Sequence, residues 1–383
     1  MKKAMAALGI ALWLVASAGA EPSLEEADLF ARWEHYGKKQ GMPEEKTLCV
    51  AADGQRTWAG TEKGAVLFEG GEIRKIYGAA DGLPEPTAIL SIAVDPRTGD
   101  VWLGMMSGLA RISGGLVTDV FTQLNSGLAN NVVYALALDG SAVWAATAGG
   151  ASRYDPVTKS WEIFDINNTL MHEPWTYSIT AGGDGAIYIG VWGGGIVVRD
   201  PNGVFREYRD PDGELEIDRV RDDGLVHDVT SAVAVSGNIM WAGTYFGLSR
   251  YDGRHWKSYS TRDSGIASDF INFQQAVGEN LWIATDRGFS RFNSETWHTW
   301  RQPREEAAFE LVHTGREWEP ERPPEVRTNP GRMSNKEYVE LARKQPAGNM
   351  VYGIDMNGGD VWLATATGVY RGIAKAGATQ AEE

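Results

Sequence analysis

The most regular pattern along the chain is an aromatic residue followed by small or apolar residues and then glycine, and it occurs seven times. The seven copies are WAGTEKG from Trp58, WLGMMSG from Trp102, WAATAGG from Trp144, YIGVWGG from Tyr188, WAGTYFG from Trp241, WIATDRG from Trp282 and WLATATG from Trp362. Five of the six intervals are 41 to 53 residues long, and the last is 80. Periods of about 40–50 residues are typical of β-propeller blades, which bury their faces against one another. The spacing therefore predicts an all-β, seven-bladed propeller.

Residues 128–164 show how one repeat becomes one blade. Apolar runs at 132–138, 143–147 and 151–154 are separated by the turn signals DG, GG and DP. Residues 160–164 alternate aromatic and polar side chains, which is typical of a half-exposed outer strand. We predict four antiparallel strands in each blade, with the innermost strand first.

The two ends of the repeat array complement each other. After Trp362 the chain has one more strand pattern, GVYRG at 368–372, and then a polar tail over 374–383. Near the other end, RWEHY at 32–36 has the pattern of an outer strand. We predict that this strand completes the last blade, because closure removes two exposed sheet edges and ties down both termini. The propeller then occupies residues 21–373.

Two segments interrupt the repeat. Residues 209–225 lengthen the connection into the fifth blade, and residues 301–349 precede the seventh. The longer segment is rich in Glu, Arg and Pro, and SNKEYVELARK at 334–344 predicts a helix with a capping serine. Both follow an outer strand. We therefore expect both to emerge on the loop face, which we define as the face formed by the second-to-third-strand turns and the blade-to-blade connections.

The innermost strands predict a nearly neutral axial channel. In each innermost strand, one position is mostly large, and the residues one and three positions after it are mostly small and should line the channel wall. Gln274 and Asp355 are the polar exceptions. Cys49 lies there as a small hydrophobe or, alternatively, as a reactive thiol. A catalytic pair or metal cluster needs convergent charges, so we expect neither metal nor cofactor here. The residues at the mostly large position, expected to pack between blades, are Leu48, Leu90, Tyr134, Tyr177, Ser231, Phe273 and Tyr352.

Charge and the N-terminal segment narrow the functional classes. The formal net charge of −15 argues against nucleic acid as a partner. Residues 1–20 combine a lysine start, an apolar stretch and the small-residue site Ala18–Ala20, which predicts a signal peptide. No later run approaches eighteen apolar residues, so we expect no membrane insertion and a periplasmic or secreted location in bacteria. Cys49 is the only cysteine, so no internal disulfide can form.

Three longer phrases carry a family resemblance. They are DGLPEPTAILSIAVDPRTGDVWLGMMSGLARI at 81–112, SGLANNVVYALALDGSAVWAATAGGASRYDP at 126–156 and DGLVHDVTSAVAVSGNIMWAGTYFGLSRYDG at 223–253. They strongly resemble two-component regulator propeller repeats over residues 30–373. The resemblance implies a seven-bladed propeller of the kind that often forms the periplasmic sensor of a histidine kinase. It supports an envelope sensor or binding protein and names no ligand.

Aromatic residues in the loops are the best candidates for a binding surface. Trp192, Tyr245 and Phe246 occupy turn positions where other blades carry Ala, Ser or Thr, and such residues suggest a contact surface. They could equally pack beneath 301–349. Glu173 and Phe270 lie in nearby connections. The full candidate set is Trp192, Tyr245, Phe246, Asp286, Arg287, His172, Trp175 and His227.

Three functions remain open from the sequence. The first is a non-catalytic exported module that binds a ligand or protein through its loop face, with a sensory role as one option. The second is a secreted lyase or hydrolase that uses His172, His227, Glu173 and Asp286, although both histidines fit ordinary surface loops better. The third is a scaffold subunit of an envelope complex. The segments DPRTGD at 95–100 and DPVTK at 155–159 are interpreted as Asp-Pro turns and not as calcium loops.

Overall fold

The computed structural model describes residues 27–212, 217–218, 222–316, 327–328 and 346–376. Within these ranges seven antiparallel sheets form a ring, six with four strands and one with five. The innermost strands lie side by side in chain order, and the seventh adjoins the first. The protein is therefore a closed seven-bladed β-propeller, as predicted. The described residues contain no helix long and apolar enough to cross a membrane.

In blades 1 to 6 the chain runs outward from the axis, one strand after another, whereas blade 7 takes its outer strand from the N-terminal segment. The innermost strands are Thr47–Ala52, Ile89–Val94, Val133–Asp139, Thr176–Ala181, Thr230–Ser236, Ile271–Val277 and Val351–Asn357. The second strands are Arg56–Thr61, Val101–Met105, Ala142–Thr147, Ile187–Val191, Ile239–Thr244, Asn280–Thr285 and Asp360–Thr365. The third strands are Gly64–Glu69, Gly108–Ser113, Gly150–Asp155, Gly195–Arg199, Leu248–Tyr251, Gly288–Phe292 and Gly368–Ala374. The outer strands are Glu72–Tyr77, Leu116–Phe121, Ser160–Phe164, Phe205–Tyr208, Trp256–Tyr259, Thr296–Arg301 and, for blade 7, Phe30–Tyr36.

Short elements complete the described chain. Three 3-10 helices cover Lys38–Gln40, Ala79–Asp81 and Ala347–Asn349. A two-stranded ribbon pairs Ile217–Asp218 with Arg327–Thr328, so the two sequence insertions meet. The predicted signal peptide, the predicted helix over 334–344 and most of the polar tail lie outside the described residues.

The N-terminal strand closes the ring, as predicted. Phe30–Tyr36 pairs antiparallel with Gly368–Ala374, and Trp33 lies opposite Gly372. Phe30 is buried in the core between blades 6 and 7, where its ring contacts Trp33 and Trp300. The closure is therefore made by apolar packing as well as by backbone pairing.

The repeat residues have identifiable structural roles. The second-strand tryptophans are at most 4% exposed and form the apolar contacts between blades. In four blades an arginine of the third strand lies over that tryptophan at 5.2–5.8 Å from the ring, a cation–π contact. These arginines are Arg111, Arg250, Arg291 and Arg371. In these four repeats the tryptophan and the arginine thus act as a pair.

A threonine and a glycine close the second-to-third-strand turn. In five blades the threonine hydroxyl donates to the carbonyl of the glycine three residues later, at 2.6–2.9 Å. That glycine has φ of 110° to 136°, a conformation that residues with a side chain rarely adopt. The five threonines are Thr61, Thr147, Thr244, Thr285 and Thr365. This bond accounts for the T-x-x-G spacing of the repeat.

Each innermost strand carries a β-bulge at its second residue, which changes two expectations. In blade 6 the bulged residue is Asn272, so the predicted register, with Phe273 at that position, was wrong by one residue. Gln274 consequently leaves the predicted channel wall. It is 3% exposed and donates to the Ala232 and Trp241 carbonyls, between blades 5 and 6.

The other two singled-out channel residues lie between blades. The Cys49 Sγ faces blade 2, where it lies 3.8 Å from the Ile89 carbonyl oxygen. A Cβ added at Gly60, in the same blade as Cys49, would come within 2.5 Å of the Sγ. Burial raises the pKa of Cys49 to about 12, which fits a packed thiol. Asp355 of blade 7 accepts the backbone N–H of Ala52 in blade 1 at 2.7 Å, and burial raises its pKa to about 6.

The beginning of the long insertion forms a fifth strand that the sequence did not predict. Glu310–Arg316 pairs with the outer strand of blade 6. Just before it, Phe309 is 2% exposed and packs against Trp33, Phe289 and Tyr370. The described start of this insertion is therefore part of the junction between blades 6 and 7.

Candidate functional site

A continuous group of aromatic side chains lies on the loop face of blades 3 to 6. We call it the aromatic cluster, and each member has at least one other member as a ring neighbour. It consists of Tyr134, Trp175, Tyr177, Trp192, Tyr245 and Phe270. Their rings extend the contact surface across four blades.

The contacts include stacked, tilted and edge-on pairs. Tyr134 stacks on Tyr177 with ring centroids 4.7 Å apart, and Tyr177 lies 5.2 Å from Trp192. Trp192 meets Tyr245 edge-on at 5.1 Å, and Tyr245 stacks on Phe270 at 3.7 Å. This order links the innermost strands of blades 3 and 4 to the loops of blades 4 and 5 and to the connection into blade 6.

Trp192 is positioned by a turn peculiar to blade 4. Val191 replaces the usual threonine, and three residues, Trp192 to Gly194, separate it from its strand partner Gly195. The corresponding turn of blade 3 has only two residues. The Trp192 N–H donates to the Trp175 carbonyl at 2.8 Å, so the turn is fastened to the connection between blades 3 and 4.

Trp175 is the most exposed member of the aromatic cluster. Its side chain is 46% accessible, while its ring meets Trp192 at 6.3 Å and Tyr134 at 6.5 Å, both edge-on. A tryptophan held on two sides and half open to solvent is available to a ligand without repacking the blades.

An open cleft lies beside these rings, between blades 3 and 4. Its volume is about 340 Å³. Six described residues line it: Ala148, Glu173, Pro174, Trp175, Trp192 and Gly193. The only charged side chain among them is Glu173, so an apolar, aromatic wall faces a single carboxylate.

The structure brings together three of the eight predicted site residues, Trp175, Trp192 and Tyr245. Phe246 lies beside Tyr245 in the sequence and stacks on His227 at 4.1 Å. His227 is only 8% exposed, and its Nδ1 accepts the Val229 N–H at 2.9 Å. The interpretation of His227 as a surface-loop residue was therefore wrong, because Phe246 covers its ring.

The remaining predicted residues lie apart from the aromatic rings. Asp286 is 2% exposed and cannot reach solvent as the prediction required. Its backbone N–H donates to the Phe270 carbonyl, while the Arg287 carbonyl accepts Arg301 Nε at 3.0 Å. His172 is exposed, as expected, and pairs with Glu207 of an outer strand at 3.0 Å. These contacts hold the loops in place.

The residues proposed for an enzyme do not converge in the structure. His172 pairs at the outer strand of blade 4, His227 lies under Phe246, and Asp286 is buried behind the Phe270 backbone. In the described ranges no three His, Cys, Asp or Glu side chains are grouped to hold a metal ion. The Asp-Pro segments form turns, as predicted: Asp95 accepts the Arg97 N–H and Asp155 the Val157 N–H, each at 2.9 Å.

Tyr134 and Tyr177 were missed as members of the site. The sequence placed them with residues that pack between blades, and they do contact across blades 3 and 4. Their bulged backbone brings that contact to the loop face, where they meet Trp175 and Trp192. Burial, and secondarily the neighbouring Tyr177, raises the pKa of Tyr134, so its phenol stays neutral. The sequence feature that could have identified them is a tyrosine at the same position of the innermost strand in two consecutive blades.

Comparisons with known proteins show similarity of fold. No protein-family model and no curated protein matches the chain. The extracellular domains of two hybrid two-component systems of B. thetaiotaomicron match 89% of this chain with TM-scores of 0.60 and 0.61 and 16% and 17% identity. The chain covers 39% and 41% of the length of those domains. Virginiamycin B lyase from Staphylococcus aureus matches 90% of this chain and 99% of its own, with a TM-score of 0.55 and 10% identity. At these identities the likeness shows the propeller fold, which hosts both sensors and an enzyme.

Proposed function

We propose that this protein is an exported, non-catalytic binding module that takes a ligand or protein partner on its loop face, at the aromatic cluster. The observation that carries the proposal is the run of contacting rings from Tyr134 to Phe270, with Trp175 46% exposed at the cleft. The signal-peptide pattern of residues 1–20 supports export. The fold likeness to extracellular domains of two-component systems supports a sensory role.

The cluster differs from the structural aromatic residues of the blades. The second-strand tryptophans are almost fully buried, whereas Trp175, Trp192 and Tyr245 keep accessible surface while being held in place by ring contacts. Rigid, partly exposed aromatic side chains are the commonest sources of binding energy in interfaces. Their anchoring also keeps the entropic cost of binding low, since the rings are ordered before a ligand arrives.

The test compares the wild-type protein with the Trp192→Ala, Tyr245→Ala double variant. Both proteins are immobilised and exposed in parallel to native envelope extract and to a small-molecule library. If the two rings are hot spots, each substitution weakens binding by on the order of 2 kcal/mol, about 30-fold. Ligands or partners kept by the wild type should therefore be lost from the double variant.

Trp256→Ala is the matched control. Trp256 is a partly buried tryptophan on the outer strand of blade 5, stacked on Tyr251 at 4.6 Å and outside the aromatic cluster. It should retain what the wild type retains. Full retention by the double variant, or a footprint on the opposite face of the ring, would contradict the proposal.

A further inference from the structure

We propose that the cleft between blades 3 and 4 binds an organic cation, with its ammonium or guanidinium group against the rings of Trp175 and Trp192 and beside the Glu173 carboxylate. This inference rests on the proposed function, because it names the ligand class of that same surface. Three features of the cleft lead to it: the arrangement of the rings, the charge of the lining, and the shortage of hydrogen-bonding side chains.

The rings meet at steep angles around the cleft. Trp175 and Trp192 are inclined at 78° with centroids 6.3 Å apart, and Tyr134 stands at 89° to Trp175. In an edge-on pair the two ring planes are nearly perpendicular, so their faces can border one space from different sides. A cation over such faces is attracted by the negative potential of the π-system, and several rings around one ammonium form the known aromatic cage.

The charge around the cleft favours a cation. Glu173 is exposed and forms no ion pair with any other residue in the described part of the chain. Neighbouring carboxylates already have partners: Asp228 forms an ion pair with Arg209 at 2.7 Å, and Glu207 forms a hydrogen bond with His172 at 3.0 Å. The formal net charge of −15 adds a long-range attraction for positive ligands.

The lining fits other ligand classes less well. No Lys or Arg is among the six described residues that line the cleft, so no side chain there would balance an anion. A sugar needs several polar side chains for its hydroxyl groups, and besides Glu173 the described lining supplies only the indole N–H groups of Trp175 and Trp192. A volume of about 340 Å³ holds a trimethylammonium or guanidinium group with a short chain.

Calorimetric titration with choline and with dimethylbutanol, its neutral carbon isostere, tests the charge requirement. The two probes have almost the same shape, so their difference measures the interaction of the positive charge with the rings and Glu173. We expect choline to bind at least about tenfold more tightly than the alcohol. N-acetyl-lysine and N-acetyl-arginine amides are titrated beside them. Tighter binding of choline indicates a free small cation, tighter binding of an amide indicates a side chain of a protein partner, and both support the proposal.

Variants locate the site. Trp175→Ala and Glu173→Gln should each weaken choline binding several-fold, and the half-exposed Trp175 and exposed Glu173 can be changed without opening the core. The controls are Trp256→Ala and Glu279→Gln. Glu279 is an exposed carboxylate in the turn between the first two strands of blade 6, on the opposite face. Both controls should bind choline like the wild type.

Three results would overturn the inference. Equal affinity for choline and dimethylbutanol would show that charge is not recognised, and the absence of saturable binding by every cation would show that the cleft is not a cation site. Unchanged choline affinity in both Trp175→Ala and Glu173→Gln would place any binding elsewhere and also refute it. None of these results decides the proposed function, which is judged by what the Trp192→Ala, Tyr245→Ala double variant loses from extract and library.

Discussion

Replacing Phe30 with alanine should weaken closure of the ring more than any other single change in the N-terminal strand. Phe30 is 5% exposed, and its ring centroid lies 5.0 Å from Trp33, 5.4 Å from Trp300 and 6.3 Å from Trp282. Truncation of a buried phenylalanine costs about 3–5 kcal/mol, because contacts are lost and a cavity remains. We expect about 3 kcal/mol, since the strand begins at Phe30 and this end of the chain can shift inward to fill part of the cavity.

Urea denaturation, followed by circular dichroism and tryptophan fluorescence, measures this loss. A single cooperative transition should move to lower urea at an unchanged slope, because the blades depend on one another through the closed ring. Arg32→Ala is the control on the same strand. The Arg32 side chain is 67% exposed and, among the described residues, pairs only with Glu34 at 3.3 Å, so its removal should leave the midpoint nearly unchanged. Equal midpoints for Phe30→Ala and Arg32→Ala would refute the closure argument.

Three further predictions concern stability and composition. Gly60→Ala should destabilise the protein by about 1–3 kcal/mol, since the new Cβ would lie 2.5 Å from Cys49 Sγ and 2.8 Å from Ile89 Cγ2. The additional change Cys49→Ala should restore part of the loss in urea midpoint. An unchanged midpoint in the single variant would contradict the packing described. Burial raises the pKa of Asp355 from 3.8 to about 6, so this carboxyl holds its proton more tightly in the folded protein than in the unfolded chain. The contribution of the protonated carboxyl to the free energy of unfolding is therefore lost as pH rises from about 4 through 6. The free energies of unfolding of the wild type and Asp355→Asn should therefore differ by an amount that changes by on the order of 2 kcal/mol between these pH values. Parallel pH profiles of the two proteins would exclude the raised pKa. Elemental analysis of protein purified without added metal should find no stoichiometric ion, and one tightly held calcium or zinc per chain would overturn the interpretation of the Asp-Pro turns.

The architecture was predictable because the blades share the same sequence patterns for their strands and turns. The buried aromatic residue, the Thr–Gly turn of five blades and the outer-strand alternation recur along the chain, and RWEHY at 32–36 supplied the outer strand that the last repeat lacked. The fifth strand of blade 6 was missed, because Glu310–Arg316 lies in a segment whose charge and proline content mask a strand pattern. The register of Ile271–Val277 was misjudged because INFQQAV does not place a large residue at the bulge.

The candidate site was predictable only where the sequence departs from the repeat. Trp192 and Tyr245 were identified because they occupy turns that other blades fill with small residues. Burial of Asp286 and His227 depends on how neighbouring loops fold over them, which no local pattern encodes. Tyr134 and Tyr177 reach the loop face because of a bulge, and a bulge is set by strand pairing.

Fluorine NMR of protein labelled with fluorotryptophan, titrated with choline, tests most directly whether the cleft beside the aromatic cluster is a binding site. Each tryptophan gives its own resonance, and Trp175→Phe, Trp192→Phe and Trp256→Phe variants assign three of them. The account predicts that the resonances of Trp175 and Trp192 shift together with saturation, while those of Trp256 and the buried second-strand tryptophans stay in place. Shifts confined to tryptophans outside the cleft, or no shift at Trp175 and Trp192 when calorimetry shows saturable binding, would contradict it.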